Sequence, residues 1–253
     1  MKPIWRSLAD EAARWHEAGR ALEFWWRDDD ASRPSPAVRR LLELAARSGA
    51  PLALAVIPTG ADAALLGALR PGVSVLQHGT DHVNRGSPGG KKTEFPPNEP
   101  EPELVARLGT GRRALETACG ARFVPVLAPP WNRLSRDRLR PVVEAGLRGV
   151  SQFGPRTTAF PAPGVRQVNT HVDIIDWKGG RRFVGEEAAL RAALGHLEAR
   201  RAGGADAAEP TGWLTHHACH DEAAWSFLEQ LFDRCRRLPG VGWRSAQELF
   251  HAA

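Results

Sequence analysis

Leu22-Glu23-Phe24-Trp25-Trp26 runs without a break into Arg27-Asp28-Asp29-Asp30. The first five residues have the length and the aromatic, apolar bias of a buried strand. The four that follow put one cation and three carboxylates at its carboxyl end. Adjacent carboxylates repel one another unless a cation or hydrogen-bond donors stand close by. Two readings are open: a functional cluster at a strand end, or a solvated acidic turn capping a helix that starts near Ser35. In regular strand geometry neighbouring side chains point to opposite faces. Adjacent carboxylates therefore share a site only if the chain turns there.

Apolar runs that end in polar or special residues recur along the chain. Leu52-Ala53-Leu54-Ala55-Val56-Ile57 stops at Pro58-Thr59-Gly60, and Val73-Ser74-Val75-Leu76 at Gln77-His78-Gly79. Phe123-Val124-Pro125-Val126-Leu127 leads into Ala128-Pro129-Pro130-Trp131. Gly149-Val150-Ser151-Gln152-Phe153, residues 167–173 and residues 212–217 complete the set. Helical patterns lie between them, at residues 36–48, 102–119, 135–145, 186–201 and 221–238, several with Gly just past the end. Pro141 is expected to kink or split the third of these. Strands alternating with helices imply a parallel sheet. About seven such units predict a distorted (β/α)7-type barrel, closed or nearly closed, with its polar residues at the carboxyl ends of the strands.

The length, 253 residues, suits a single domain over 1–253 with a core of about 22–250. Hydrophobic residues make up 42% and charged residues 25%, as in an ordinary globular protein. The net charge of +5 comes from scattered arginines, not from a dense basic run, which argues against nucleic-acid binding and leaves room for an anionic sugar substrate. Met1 to Arg20 reads as an amphipathic segment without the apolar run of a secretory signal. No stretch is long and apolar enough to span a membrane. Cys119, Cys219 and Cys235 are odd in number and form no CxxC, so free thiols and a cytoplasmic setting are expected.

Three further motifs carry chemistry. In His78-Gly79-Thr80-Asp81-His82 the two histidines share one face if the segment turns helically, and imidazole suits zinc and its neighbours. The plain alternative is two surface histidines in a glycine-containing loop. Asp173-Ile174-Ile175-Asp176-Trp177 and Leu214-Thr215-His216-His217 supply a carboxylate and a histidine. A carboxylate beside an imidazole raises its pKa and orients it, which prepares a general acid.

Taken in order, Asp-Asp, HxxxH, Pro-Pro-Trp, DxxDW and LxH resemble the polysaccharide deacetylase family (NodB homology domain, carbohydrate esterase family 4) over residues 24–217. The resemblance implies a metal-dependent hydrolase of linear C–N amide bonds. It would remove an N-acyl group, N-acetyl above all, from an amino sugar or small soluble glycan precursor. It implies a divalent ion held by Asp30, His78 and His82, with Zn²⁺ expected and Co²⁺, Ni²⁺ or Mn²⁺ as alternatives. Asp29 would be the general base and His216 the general acid, with Asp173 and Asp176 as its carboxylate partners. Trp131, Trp177 and Pro130 would contact substrate. The register on Asp29 and Asp30 keeps Leu41 and Leu44 in the family's spacing; Asp28 and Asp29 form the alternative pair, and His217 is the alternative acid. Gly79 replaces the usual Ser or Thr. Ala128 stands where the family's arginine orients the base, and Asn132 replaces Gly. Arg27 and Arg133 are the candidate replacement cations. A related amidohydrolase of non-sugar amides and a non-catalytic carbohydrate-binding domain are the rival readings.

Overall fold

The structure, a computed structural model, describes residues 2–251. The strands are β1 (Leu22–Ala31), β2 (Leu52–Val56), β3 (Val73–His78), β4 (Phe123–Ala128), β5 (Gly149–Val150), β6 (Arg166–Gln167), β7 (Val172–Asp173), β8 (Ile175–Asp176), β9 (Arg182–Phe183), β10 (Thr211–Thr215) and β11 (Val241–Arg244). The α-helices are α1 (Pro3–Glu17), α2 (Pro36–Ser48), α3 (Ala63–Gly67), α4 (Glu101–Cys119), α5 (Leu139–Glu144), α6 (Glu186–Ala202), α7 (Glu222–Cys235) and α8 (Ala246–His251). The main sheet is parallel throughout, in the order β6-β5-β4-β3-β2-β1-β10-β7, with β11 against the first half of β1.

The two ends of that order belong to one stretch of chain. Residues 166–173 pair first with β5 and then with β10. The Val168 N–H donates to the Val150 carbonyl at 3.2 Å, Thr170 to Gln152 at 3.0 Å, and His171 to Gly212 at 2.7 Å. The expected sixth strand is thus two short ladders joined by a bend, and that bend closes the curled sheet into a distorted (β/α)7 barrel.

Trp25 points into the barrel and Phe24 and Trp26 away from it, as strand alternation requires. Trp25 packs with Ala53, Ala55, Leu76, Val124, Val126, Val168 and Phe250 of α8. Its indole N–H donates to the Asn169 carbonyl at 2.9 Å. A Cβ at position 212 would lie 2.3 Å from Trp25 Nε1, so β10 needs Gly212 for the indole to pass. Trp26 and Phe24 join the larger core between sheet and helices.

Ser35, not the aspartates, caps α2: its Oγ accepts the Val38 N–H at 3.1 Å. The helix expected over residues 135–145 is split, with a 3₁₀ turn at Arg136–Arg138 followed by α5; Pro141 sits in the first turn of α5, where no N–H is missed. The long irregular segment 84–102 is anchored at its middle by Glu94 and Phe95, which are buried.

Candidate metal centre and its cavity

β1 extends further than its apolar half suggests and carries Arg27, Asp28 and Asp29 into the protein, all buried. Alternation puts Trp25, Arg27 and Asp29 on the inner face and Asp28 on the outer one. Between Asp28 and Ala31 the register against β2 shifts, and Asp30 takes a left-handed φ of 70°. This irregularity turns Asp30 inward beside Asp29, so two neighbouring carboxylates face one cavity.

His78 ends β3. Its Nδ1 lies 2.9 Å from the Ala128 carbonyl, an arrangement in which Nδ1–H donates and Nε2 is left for the cavity. Nε2 lies 3.0 Å from Asp30 Oδ1, and His82 Nε2 lies 3.2 Å from the same oxygen. The three donor atoms fall within 4.8 Å of one another. The histidines do not meet through a helical turn. Gly79 and His82 both have left-handed φ, 61° and 58°, and the loop folds around the buried carboxylate of Glu94. Glu94 accepts the N–H groups of Thr80 at 2.7 Å, Asp81 at 3.4 Å and His82 at 3.2 Å, as well as the Thr80 hydroxyl, and it pairs with Arg107 at 3.2 Å. A Cβ at Gly79 would sit 2.1 Å from Glu94 Oε2 and 2.7 Å from Pro130. Gly79 is therefore required twice, by its φ and by the carboxylate beside it. Nothing in the sequence marks Glu94 for this task, since the same long segment also carries Glu99 and Glu101.

Asp29 is gripped from its own strand. Arg27 Nε and Nη2 donate to Asp29 Oδ1 and Oδ2 at 2.9 and 3.0 Å. The same guanidinium reaches the Ser151 carbonyl at 2.7 Å, the Ser151 hydroxyl at 2.6 Å and Asn132 Oδ1 at 2.6 Å. Every arm of the buried cation is used. Arg133, the other candidate, donates instead to the Lys92 carbonyl at 2.7 Å. Asp28 faces the outer side: it lies 2.5 Å from His217 Nδ1 and accepts the Thr215 hydroxyl at 2.6 Å and the His217 N–H at 3.0 Å. Asp28 and His217 thus form a buried pair outside the cavity, whereas Asp29 and His216 line it.

The cavity has a volume of about 650 Å³ and is also lined by Asp30, His78, His82, Trp131, Asp173 and Trp177. His216 Nδ1 is buried without a hydrogen-bond partner, and its ring meets Trp177 edge-on at 4.6 Å. Asp173 accepts the Trp177 indole N–H at 2.7 Å and the Ile175 N–H at 2.9 Å, so it sets the Trp177 ring and is not hydrogen-bonded to His216. Asp176 does not line the cavity; its Oδ1 accepts the N–H groups of Lys178 and Gly179 at 3.1 and 2.8 Å and shapes the β8–β9 turn. Pro130 is buried against Gly79 and does not line the cavity, while Trp131 stands 4.6 Å from the His82 ring. Among the described residues, five non-glycine residues have left-handed φ: Asp30, His82, Trp131, Asn132 and Arg181. All five line this cavity.

The charges respond to one another. Burial alone would raise the Asp30 pKa, but its bonds to His78 and His82 outweigh that and hold it well below the usual carboxylate range. Burial works against a charged His78, yet Asp29 and Asp30 push its pKa up. Burial raises Asp173. The set of two imidazoles and one carboxylate, with the second nitrogen of His78 fixed by a carbonyl, fits a divalent d-block ion.

A second group of donors, His171, His196 and Glu209, is buried behind β10. Its rings are stacked at 3.5 Å and 14°, so their in-plane lone pairs run side by side and cannot converge on one ion. Glu209 is already engaged by the N–H groups of Arg156 and Asn169 at 2.9 and 2.8 Å. Burial depresses the pKa of both histidines, that of His196 to about 2. This is a neutral histidine stack.

No family model and no curated protein matches the sequence. Solved structures do match the fold. The Bc1960 peptidoglycan N-acetylglucosamine deacetylase aligns with a TM-score of 0.60 at 12% identity, over 94% of this chain and 96% of that one. A family 4 acetyl xylan esterase from Clostridium thermocellum, solved with a cobalt ion, aligns with a TM-score of 0.55 at 12% identity, over 90% of each chain. A mutant of BA3943, a family 4 pseudoenzyme with restored enzymatic activity, gives 0.61 at 12% identity, over 91% of this chain and 68% of that one. The chain has the NodB-like polysaccharide deacetylase fold.

Proposed function

We propose that the protein is a divalent-metal-dependent hydrolase that removes an N-acyl group, N-acetyl in the simplest case, from an amino sugar or small glycan precursor. The observation that carries this reading is the Arg27–Asp29 pair beside Asp30, His78 and His82. The family's arginine is absent at Ala128, and the same job, restraining a carboxylate in the cavity, falls to a guanidinium two residues away on β1. That supports a catalytic reading over a non-catalytic domain.

Asp30, His78 and His82 would hold the ion. When bound, it lowers the pKa of a water and polarises an acyl oxygen. Asp29, kept in one rotamer by two hydrogen bonds, would take the proton from a water in the cavity. His216 lines the same cavity, and it delivers a proton to the departing amine. Trp177, fixed by Asp173, and Trp131 offer apolar faces to a sugar ring.

The test is release of acetate from a panel of N-acetylated sugars, with and without chelator. Expected are turnover that chelation abolishes and that Asp29→Asn removes while metal content is kept. Turnover indifferent to chelator would sink the mechanism. Cleavage of simple amides but of no sugar would favour the amidohydrolase reading.

A further inference from the structure

The proposed reaction leaves three cavity cations without a task. Lys92, Arg133 and Arg181 line the cavity, and none of them forms an ion pair among the described residues. Of the three acids within, Asp29 is matched by Arg27 and Asp30 by the two imidazoles, while Asp173 accepts the Trp177 and Ile175 N–H groups.

The Lys92 ammonium lies 5.9 Å from the centre of the Trp131 ring, and Arg133 binds the Lys92 carbonyl. Arg181 stands in the same β8–β9 turn as Trp177, which is 44% exposed. Arg181 is also one of the five residues with left-handed φ, at 56°. Such a conformation is strained and persists where the surroundings dictate it. Here Asp176 dictates it. The Arg181 N–H donates to the Asp176 carbonyl at 2.9 Å, and the Asp176 carboxylate accepts two further N–H groups of the turn. A Cβ at Gly179 would lie 2.0 Å from that carboxylate. Asp176, expected from the motif to act on His216, instead builds the turn that presents Trp177 and Arg181 together.

We propose that Lys92, Arg133 and Arg181 form an anion subsite, and that the substrate is an N-acylated amino sugar bearing a carboxylate or a phosphate. The rings of Trp131 and Trp177 take the sugar, and the cations next to them take its charge. The sugar half rests on the hydrolase reading; the anion half stands on the charge layout alone.

Binding to metal-free protein, measured by calorimetry at low ionic strength, tests this independently of turnover. The probes are N-acetylglucosamine, N-acetylglucosamine 1-phosphate, N-acetylmuramic acid and inorganic phosphate. The anionic sugars should bind about tenfold tighter than the neutral one, as expected for a few partly exposed ion pairs acting together. Salt should erode the difference. Inorganic phosphate should bind more weakly than the sugar phosphate, and which anionic sugar gains more names the anion. In Lys92→Gln/Arg133→Gln/Arg181→Asn, with an unchanged melting temperature, the advantage should shrink to about threefold or less. Equal affinity for neutral and anionic sugars, an advantage that survives the triple variant, or no sugar binding at all would each overturn the subsite. An intact anion preference with no acetate release from the metal-loaded protein would reject the hydrolase reading and leave the subsite standing.

Discussion

Arg27 and Asp29 are both buried, and each is the other's charge partner. Removing one member of such a pair leaves an uncompensated charge in the interior, at a cost of about 3–5 kcal/mol. Arg27→Met should therefore lower the urea midpoint markedly, and it should abolish turnover even at temperatures where the variant is folded. Arg27→Met/Asp29→Leu should recover much of the stability and none of the turnover. A double variant no more stable than the single would mean that the pair is not the linked unit described here. His196 gives a second residue-scale expectation, in pH. Its folded pKa of about 2 lies below the unfolded value of about 6.5. Above that unfolded value neither state binds the proton. As pH falls through it, the unfolded chain takes up a proton that the folded one refuses, so stability drops continuously toward the folded value. Unfolding midpoints from about pH 7 to about pH 4 should decline, and less steeply in His196→Asn.

The loop from Gly79 to His82 has no regular structure to hold it and takes its shape from Glu94. Glu94→Gln replaces one acceptor oxygen with a donor facing backbone N–H groups. Metal affinity, read by competition with a chromophoric chelator, should fall about 10–100-fold, as for other groups that orient ligands. Gly79→Ala should do the same through its clash with the carboxylate. Wild-type affinity in both variants would show that the loop shapes itself. This element also marks how far the sequence could be read. The seven strands were legible because buried parallel strands are apolar runs that end abruptly, and Asp30 and His78 were legible as residue types at strand ends, with His82 four residues further on. The helical pairing of the two histidines was not correct, because local spacing says nothing of a carboxylate arriving from residue 94. Residues 167–173 looked like one strand because each half is apolar. The bend between them answers to partners on opposite edges of the sheet, which are tertiary facts. Asp176 and Asp173 could not be told apart in DxxDW, since the turn that separates their tasks depends on Gly179 and Arg181.

Across the whole molecule, the proposed metal donors come from two strands and a loop, β1, β3 and residues 79–82, so an ion bound there would tie these parts of the barrel together. A ligand that binds only the folded state stabilises it by about 2.7 kcal/mol at a hundredfold excess over Kd. Melting curves with and without added Zn²⁺ should separate by several degrees, and His78→Ala should merge them. Curves that coincide in the wild type would argue against a site in the folded protein. The proposed base is built differently. Arg27, Asp29 and Asp30 follow one another along a single strand, so the distance between the carboxylate and its cation is set by covalent connectivity and one pleat. When neighbouring strands breathe apart, the spacing of the metal donors can drift, while the guanidinium and its carboxylate travel together. An arginine at position 128 would have hung the same contact on the β3–β4 side of the barrel and exposed it to that drift. Relocating the cation to β1 makes the acid–base half of the site a self-contained cassette, able to keep its alignment through fluctuations that momentarily loosen the metal half.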